Sequence, residues 1–174
     1  MLKLIDRATK LVERVVVALA VIGAAIIVVQ MVWISYGVFM RYGMGRPDRM
    51  VTEATALLLF PVALLGLAYA MREDSYPRVT LLTDTFRPGI QKLVMLMNGM
   101  IMMLIGVFFS MTTVNATIRA FNSGASSEIL NWPRYFFWAA AAVSLCVFTV
   151  YATLRLIQIA LNPPPQKDKT DGLV

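Results

Sequence analysis

The 174-residue chain has no histidine and a single cysteine, Cys146. An intrachain disulfide is therefore impossible, and a Cys/His zinc site has no ligand set. Haem held by paired histidines and any mechanism that needs a histidine base are excluded as well. Charge is also scarce: 15% of residues are charged and 59% are hydrophobic, too apolar a balance for an ordinary soluble domain. The net charge of +6 does not point to nucleic acid. The positive residues lie in short turns between apolar runs, where they meet lipid headgroups and set orientation. The expected surroundings are a lipid bilayer, with no nucleic-acid partner.

In place of charge the sequence has four long uncharged runs, each near or above the about 20 residues that cross a bilayer as a helix. They cover about 15–40, 54–71, 93–118 and 135–161, the charge-free part of the fourth ending at Leu154. The first is longer than the apolar core of a signal peptide and no small-residue cleavage site ends it, so it is expected to stay in the mature protein. The fold class is an all-α membrane protein with four transmembrane helices in one domain, 1–162. Three prolines, Pro163 to Pro165, then begin a polar stretch, 163–174, read as a disordered tail.

Two short segments have apolar residues at helical spacing without the length to span. In residues 1–14, Leu4, Ile5, Ala8, Leu11 and Val12 share a stripe while Lys3, Asp6, Arg7, Lys10, Glu13 and Arg14 take the other face. This is either an interfacial helix or the basic flank of the first span. Between the second and third spans, Val79, Leu82 and Phe86 form a stripe that ends at Pro88 and Gly89, read as a second interfacial helix.

Within the spans, Pro61 removes a backbone donor and is expected to loosen or kink the second helix. Small residues at close-packing spacing include Ala20 and Ala24, Gly66 and Ala70, and the set Gly99, Gly106 and Ser110. The third span also contains Met95, Met97, Met100, Met102, Met103 and Met111. Without neighbouring Cys or His these read as adaptable packing against other helices, not as a soft-metal site. Asn98, Thr112 and Asn115 are candidates for hydrogen bonds across helices.

The turn from Arg41 to Thr52 contains three arginines, two glycines and a proline, and Glu53 follows it. One reading of Glu53 is a helix-start residue favoured by the macrodipole. The other is a half-buried pair with Arg41, with Arg49 or with a partner protein. Lys and Arg residues number eleven on the side of the termini and the second turn, against five in the first and third turns. The positive-inside rule therefore puts both termini in the cytoplasm and the Glu53 turn outside.

The run Arg41-Tyr42, Thr52-Glu53, Gly66, Tyr69-Ala70, Arg78-Val79, Leu81-Leu82 and Asp84 resembles the small membrane subunit of tripartite ATP-independent periplasmic (TRAP) transporters, the DctQ type. The chain departs from that pattern at Val51, Ala54, Tyr76 and Thr80. The resemblance implies a bacterial inner-membrane transporter in which a periplasmic substrate-binding protein delivers an organic acid to a large permease subunit driven by sodium. The small subunit is then a scaffold for the large one. It has no cofactor and no enzymatic activity, and the sodium ions belong to the partner. The residues expected to serve assembly or the partner interface are Arg41, Tyr42, Arg49, Glu53, Gly66, Tyr69, Gly99, Gly106 and Ser110. An autonomous small oligomeric transporter or channel is the rival reading. Against it, no span has a charged group near its middle, where substrate and coupling ions usually require one.

Overall fold

In a computed structural model, residues 2–46, 49–73, 75 and 88–161 are described, with backbone alone for 2–6 and 88. They form five helices: α1 (Leu2–Gly43), α2 (Arg49–Leu65), α3 (Leu67–Arg72), α4 (Pro88–Asn122) and α5 (Arg134–Leu161). Lipid offers no hydrogen-bond partners to a bare backbone, so uncharged runs of this length must satisfy their amides internally, as helices do. Four helical stretches are long and apolar enough to cross a membrane: Arg7–Gly43, α2 with α3 as Arg49–Arg72, Gly89–Asn122 and Arg134–Leu161. The chain is a multi-pass, all-α membrane protein.

The N-terminal amphipathic segment continues without a break into the first span, making α1 a single helix of 42 residues, about 63 Å at 1.5 Å per residue. The second stripe, 79–86, and the tail, 163–174, lie outside the described residues. The second span starts earlier than its charge pattern implied. Its helix begins at Arg49, which puts Glu53 in the second turn instead of at the start. Pro61 stays inside α2, and the interruption comes at Gly66, between α2 and α3. Proline's fixed φ is itself helical, so one lost donor is tolerated there.

Helix α5 is the hub: it packs along α1, α2, α3 and α4, and α4 leans chiefly on α5. Near the terminal end, Val16 of α1, Ala68 and Met71 of α3, and Phe148, Tyr151 and Ala152 of α5 form a buried cluster, with Met102 of α4 against it. Met102 is the methionine of α4 that meets this core. Met95, Met97, Met100 and Met111 face outward, so their packing role within the chain is smaller than the sequence implied.

Glycines set how closely the helices approach. A Cβ on Gly37 would lie 2.7 Å from Cγ1 of Val51, and one on Gly106 would lie 2.7 Å from Oγ1 of Thr149. Both contacts are shorter than atoms tolerate, so only glycine fits without displacing a neighbour. A Cβ on Gly99 would lie 2.9 Å from Cδ1 of Leu156, and one on Gly23 a less severe 3.1 Å from Cβ of Leu65. In α1, then, Gly23 and Gly37 provide the close contacts with α2, where the alanine spacing had pointed to Ala20 and Ala24.

Side chains also bond across helices. Ser144, fully buried, donates to the Leu64 carbonyl at 2.6 Å, and the Ser110 and Thr149 hydroxyls share a bond of 2.9 Å. Gln158 Nε2 donates to Thr9 Oγ1 at 3.1 Å, and Gln30 Nε2 reaches the Thr55 carbonyl at 3.4 Å. Lys92 Nζ donates to the Ala160 carbonyl at 3.2 Å, tying α4 to the C-terminal end of α5. Thr112, expected to bond across helices, turns back onto the Phe108 carbonyl of its own helix. A hydroxyl that bonds its own turn is already satisfied and needs no neighbour.

Candidate assembly site

The clearest polar construction in the molecule joins Glu53 to the loop between α4 and α5. Helix α4 ends at a glycine in the left-handed region, Gly124 (φ 60°), whose amide donates to the Phe121 carbonyl at 3.2 Å. The chain then folds back on itself. The Ser127 amide donates to the Trp132 carbonyl and the Arg134 amide to the Ala125 carbonyl, each at 2.9 Å. The Trp132 amide donates to Oγ of Ser127 at 3.1 Å, and Ser127 itself is 2% exposed. Asn131 closes the turn with φ 51°, a conformation that asparagine tolerates better than most residues.

This fold aims the amides of Glu128, Ile129 and Leu130 at one point, and the Glu53 carboxylate occupies it. Oε1 accepts from Glu128 at 2.7 Å and from Ile129 at 3.2 Å. Oε2 accepts from Ile129 at 3.0 Å and from Leu130 at 2.9 Å. Consecutive amides in a turn make a nest for an anion, and bonds to an ionised acceptor are stronger than neutral ones. Glu53 therefore fastens α2 to the loop that opens α5. Neither Arg41 nor Arg49 is its partner, which corrects the pairing read from the sequence.

The remaining expected site residues fall into two groups. Gly99, Gly106 and Ser110 are taken up inside the chain, against Leu156 and Thr149 of α5. They are not free surface. Arg41, Tyr42, Arg49, Gly66 and Tyr69 stay exposed. The Arg41 guanidinium lies over the Tyr42 ring at 5.6 Å and that of Arg72 over the Tyr69 ring at 5.9 Å. Nothing lies within 4 Å of a Cβ built on Gly66. The loop residues that receive Glu53 have no side-chain signature, because they contribute backbone amides. The one signal available was the turn chemistry of Ser126, Ser127 and Asn131.

Among the described residues no cluster of three or more His, Cys, Asp or Glu could hold a metal ion. The arrangement can brace helices of the chain against one another. The family described as "Tripartite ATP-independent periplasmic transporters, DctQ component" matches residues 30–162, and the chain belongs to that family, the small component of TRAP transporters. The family is one of transporter components, not of enzymes. No individually curated protein matches the sequence.

Proposed function

We propose that the chain is the small permease subunit of a sodium-driven TRAP transporter that imports an organic acid delivered by a periplasmic binding protein. In this reading it scaffolds the large permease subunit in the bacterial inner membrane, with both termini in the cytoplasm, and has no substrate site, cofactor or catalysis of its own. One observation carries the reading beyond family membership: among the described residues, no buried side-chain polar atom is left without a hydrogen-bond partner. Ser144 is used by Leu64, Ser110 by Thr149 and Gln30 by Thr55, and the spans contain no charged group near their middle. Among the described residues, no unsatisfied buried polar group is left to take a carboxylate or an ion.

The outward faces of α1 and α4 supply what a scaffold needs. Val28, Met31, Val32, Leu104, Phe108 and Met111 are all exposed, and large apolar faces of this kind suit lipid or another membrane subunit. The test is purification of the tagged chain in mild detergent. A much larger membrane protein is expected to stay bound. Recovery of a transport-active homo-oligomer alone would contradict the proposal.

A further inference from the structure

Near the terminal end of the bundle, α1 and α5 leave an open apolar groove between them. It measures about 180 Å³ and is lined by Val12 and Val15 of α1 and by Cys146, Val147 and Val150 of α5. Val12 and Val147 form its floor, where they pack on the buried cluster that contains Val16 and Tyr151. Val15, Cys146 and Val150 form its sides and are exposed. None of these residues is charged, and the Cys146 thiol is a weak donor, so a polar ligand has nothing to bond to there. An apolar cavity of about 150 Å³ holds a benzene molecule and stays dry, and this groove likewise has room for a short run of methylene groups. An α-helix, about 10–12 Å across with its side chains, is too wide to enter it.

The groove stands at the edge of the hydrocarbon layer. Val15 opens the uncharged run of α1, and Arg14 is the cation immediately before it. Leu11, one turn outward of Val15, is 63% exposed and continues the apolar side. Its neighbours on the helix surface, four residues before it and three after, are Arg7 and Arg14. Both are exposed, as is Lys10. Among the described residues none of the three cations pairs with an acid. Lys10 lies about 6 Å outward of Arg14 along the helix, and the headgroup layer on each side of a bilayer is about 5–8 Å thick. The cations therefore begin at phosphate depth while the groove stands at acyl-chain depth.

We propose that the groove and these cations together form a site for one anionic phospholipid. A stretch of acyl chain lies against Val12, Val15, Val147 and Val150, and the phosphate meets Arg14 and Arg7. Basic positions beside transmembrane helices are a recurrent means of holding anionic headgroups. Free phosphate lacks the apolar half of the match, and a neutral lipid lacks the charged half.

The test uses the full-length chain, purified in mild detergent with whatever subunit stays bound, stripped of lipid and titrated with phosphatidylglycerol or phosphatidylcholine. Bound lipid is counted by native mass spectrometry. Wild type is expected to hold one phosphatidylglycerol about tenfold more tightly than phosphatidylcholine, and inorganic phosphate should not compete. Val150→Trp fills the groove and is expected to lose tight binding of either lipid. Cys146→Phe obstructs it from a second position and should act in the same way. Val143→Trp, two turns further along the exposed side of α5, should bind as wild type does. Arg7→Gln with Arg14→Gln is expected to bring phosphatidylglycerol down to the affinity of phosphatidylcholine. Equal binding of the two lipids by wild type would overturn the proposal, as would unchanged binding in both groove variants or competition by inorganic phosphate. So would displacement of a protein subunit, in place of a lipid, by Val150→Trp.

Discussion

The amide of Ile129 is shared between both oxygens of Glu53, at 3.2 and 3.0 Å, across 76 positions of sequence. Glu128 and Leu130 bind one oxygen each on either side of it. The carboxylate therefore fixes three successive peptide units at once, and the entry to α5 is set by a side chain of α2.

Removing that carboxylate should free the loop without unfolding the helices. Glu53→Ala is expected to raise amide deuterium exchange at residues 127–131, with the centres of α2 and α5 still protected. Glu53→Gln, whose amide presents one acceptor oxygen, is expected to fall between the two. Unchanged exchange at 128–130 in the alanine variant would mean that the carboxylate does not hold the loop.

The Ser144 bond to Leu64 should contribute modestly. Hydrogen bonds between transmembrane helices average about 0.6 kcal/mol and reach about 1.7 kcal/mol. Ser144→Ala is expected to lower unfolding stability in mixed micelles by that order. Ser144→Leu should cost more, about 1–3 kcal/mol, because the site has no spare volume. A leucine variant as stable as wild type would show that α2 and α5 are not in close contact there.

Glycine substitutions should separate by location. Gly37→Val and Gly106→Val drive a side chain into Val51 and Thr149, and overpacking of this kind typically costs about 1–3 kcal/mol. Gly66→Ala meets nothing and keeps an ordinary backbone, φ −86° and ψ −13°. It is expected to stabilise by about 0.4–1 kcal/mol, through the lost freedom of the unfolded chain. Thermal unfolding in detergent ranks the three variants. Loss of stability at Gly66 comparable to that at Gly37 would contradict the packing described.

The four spans and the helical fold were legible from the sequence, because an uncharged run long enough to cross a bilayer has few alternatives to a helix. The contact side of α4 was legible for a similar reason, since Gly99, Gly106 and Ser110 recur at helical spacing on one face. The partner of Glu53 was not. Its ligands are backbone amides, which every residue but proline possesses, and they lie 75 to 77 positions away. A search among side chains offers Arg41 and Arg49 instead, because they are near in sequence and opposite in charge. The interruption at Gly66 was also hidden: Pro61 is the stronger local signal, yet its ring is compatible with helical φ.

On the function proposed above, Glu53 holds the subunit in its assembled form and takes no part in moving substrate or sodium. The most direct measurement is sodium-dependent uptake by reconstituted Glu53→Gln transporter, normalised to the amount of complex of both membrane subunits. Less assembled complex is expected, and each complex that forms should transport with the sodium dependence of wild type. Normal assembly with sodium coupling lost would contradict the claim and put Glu53 in the transport mechanism.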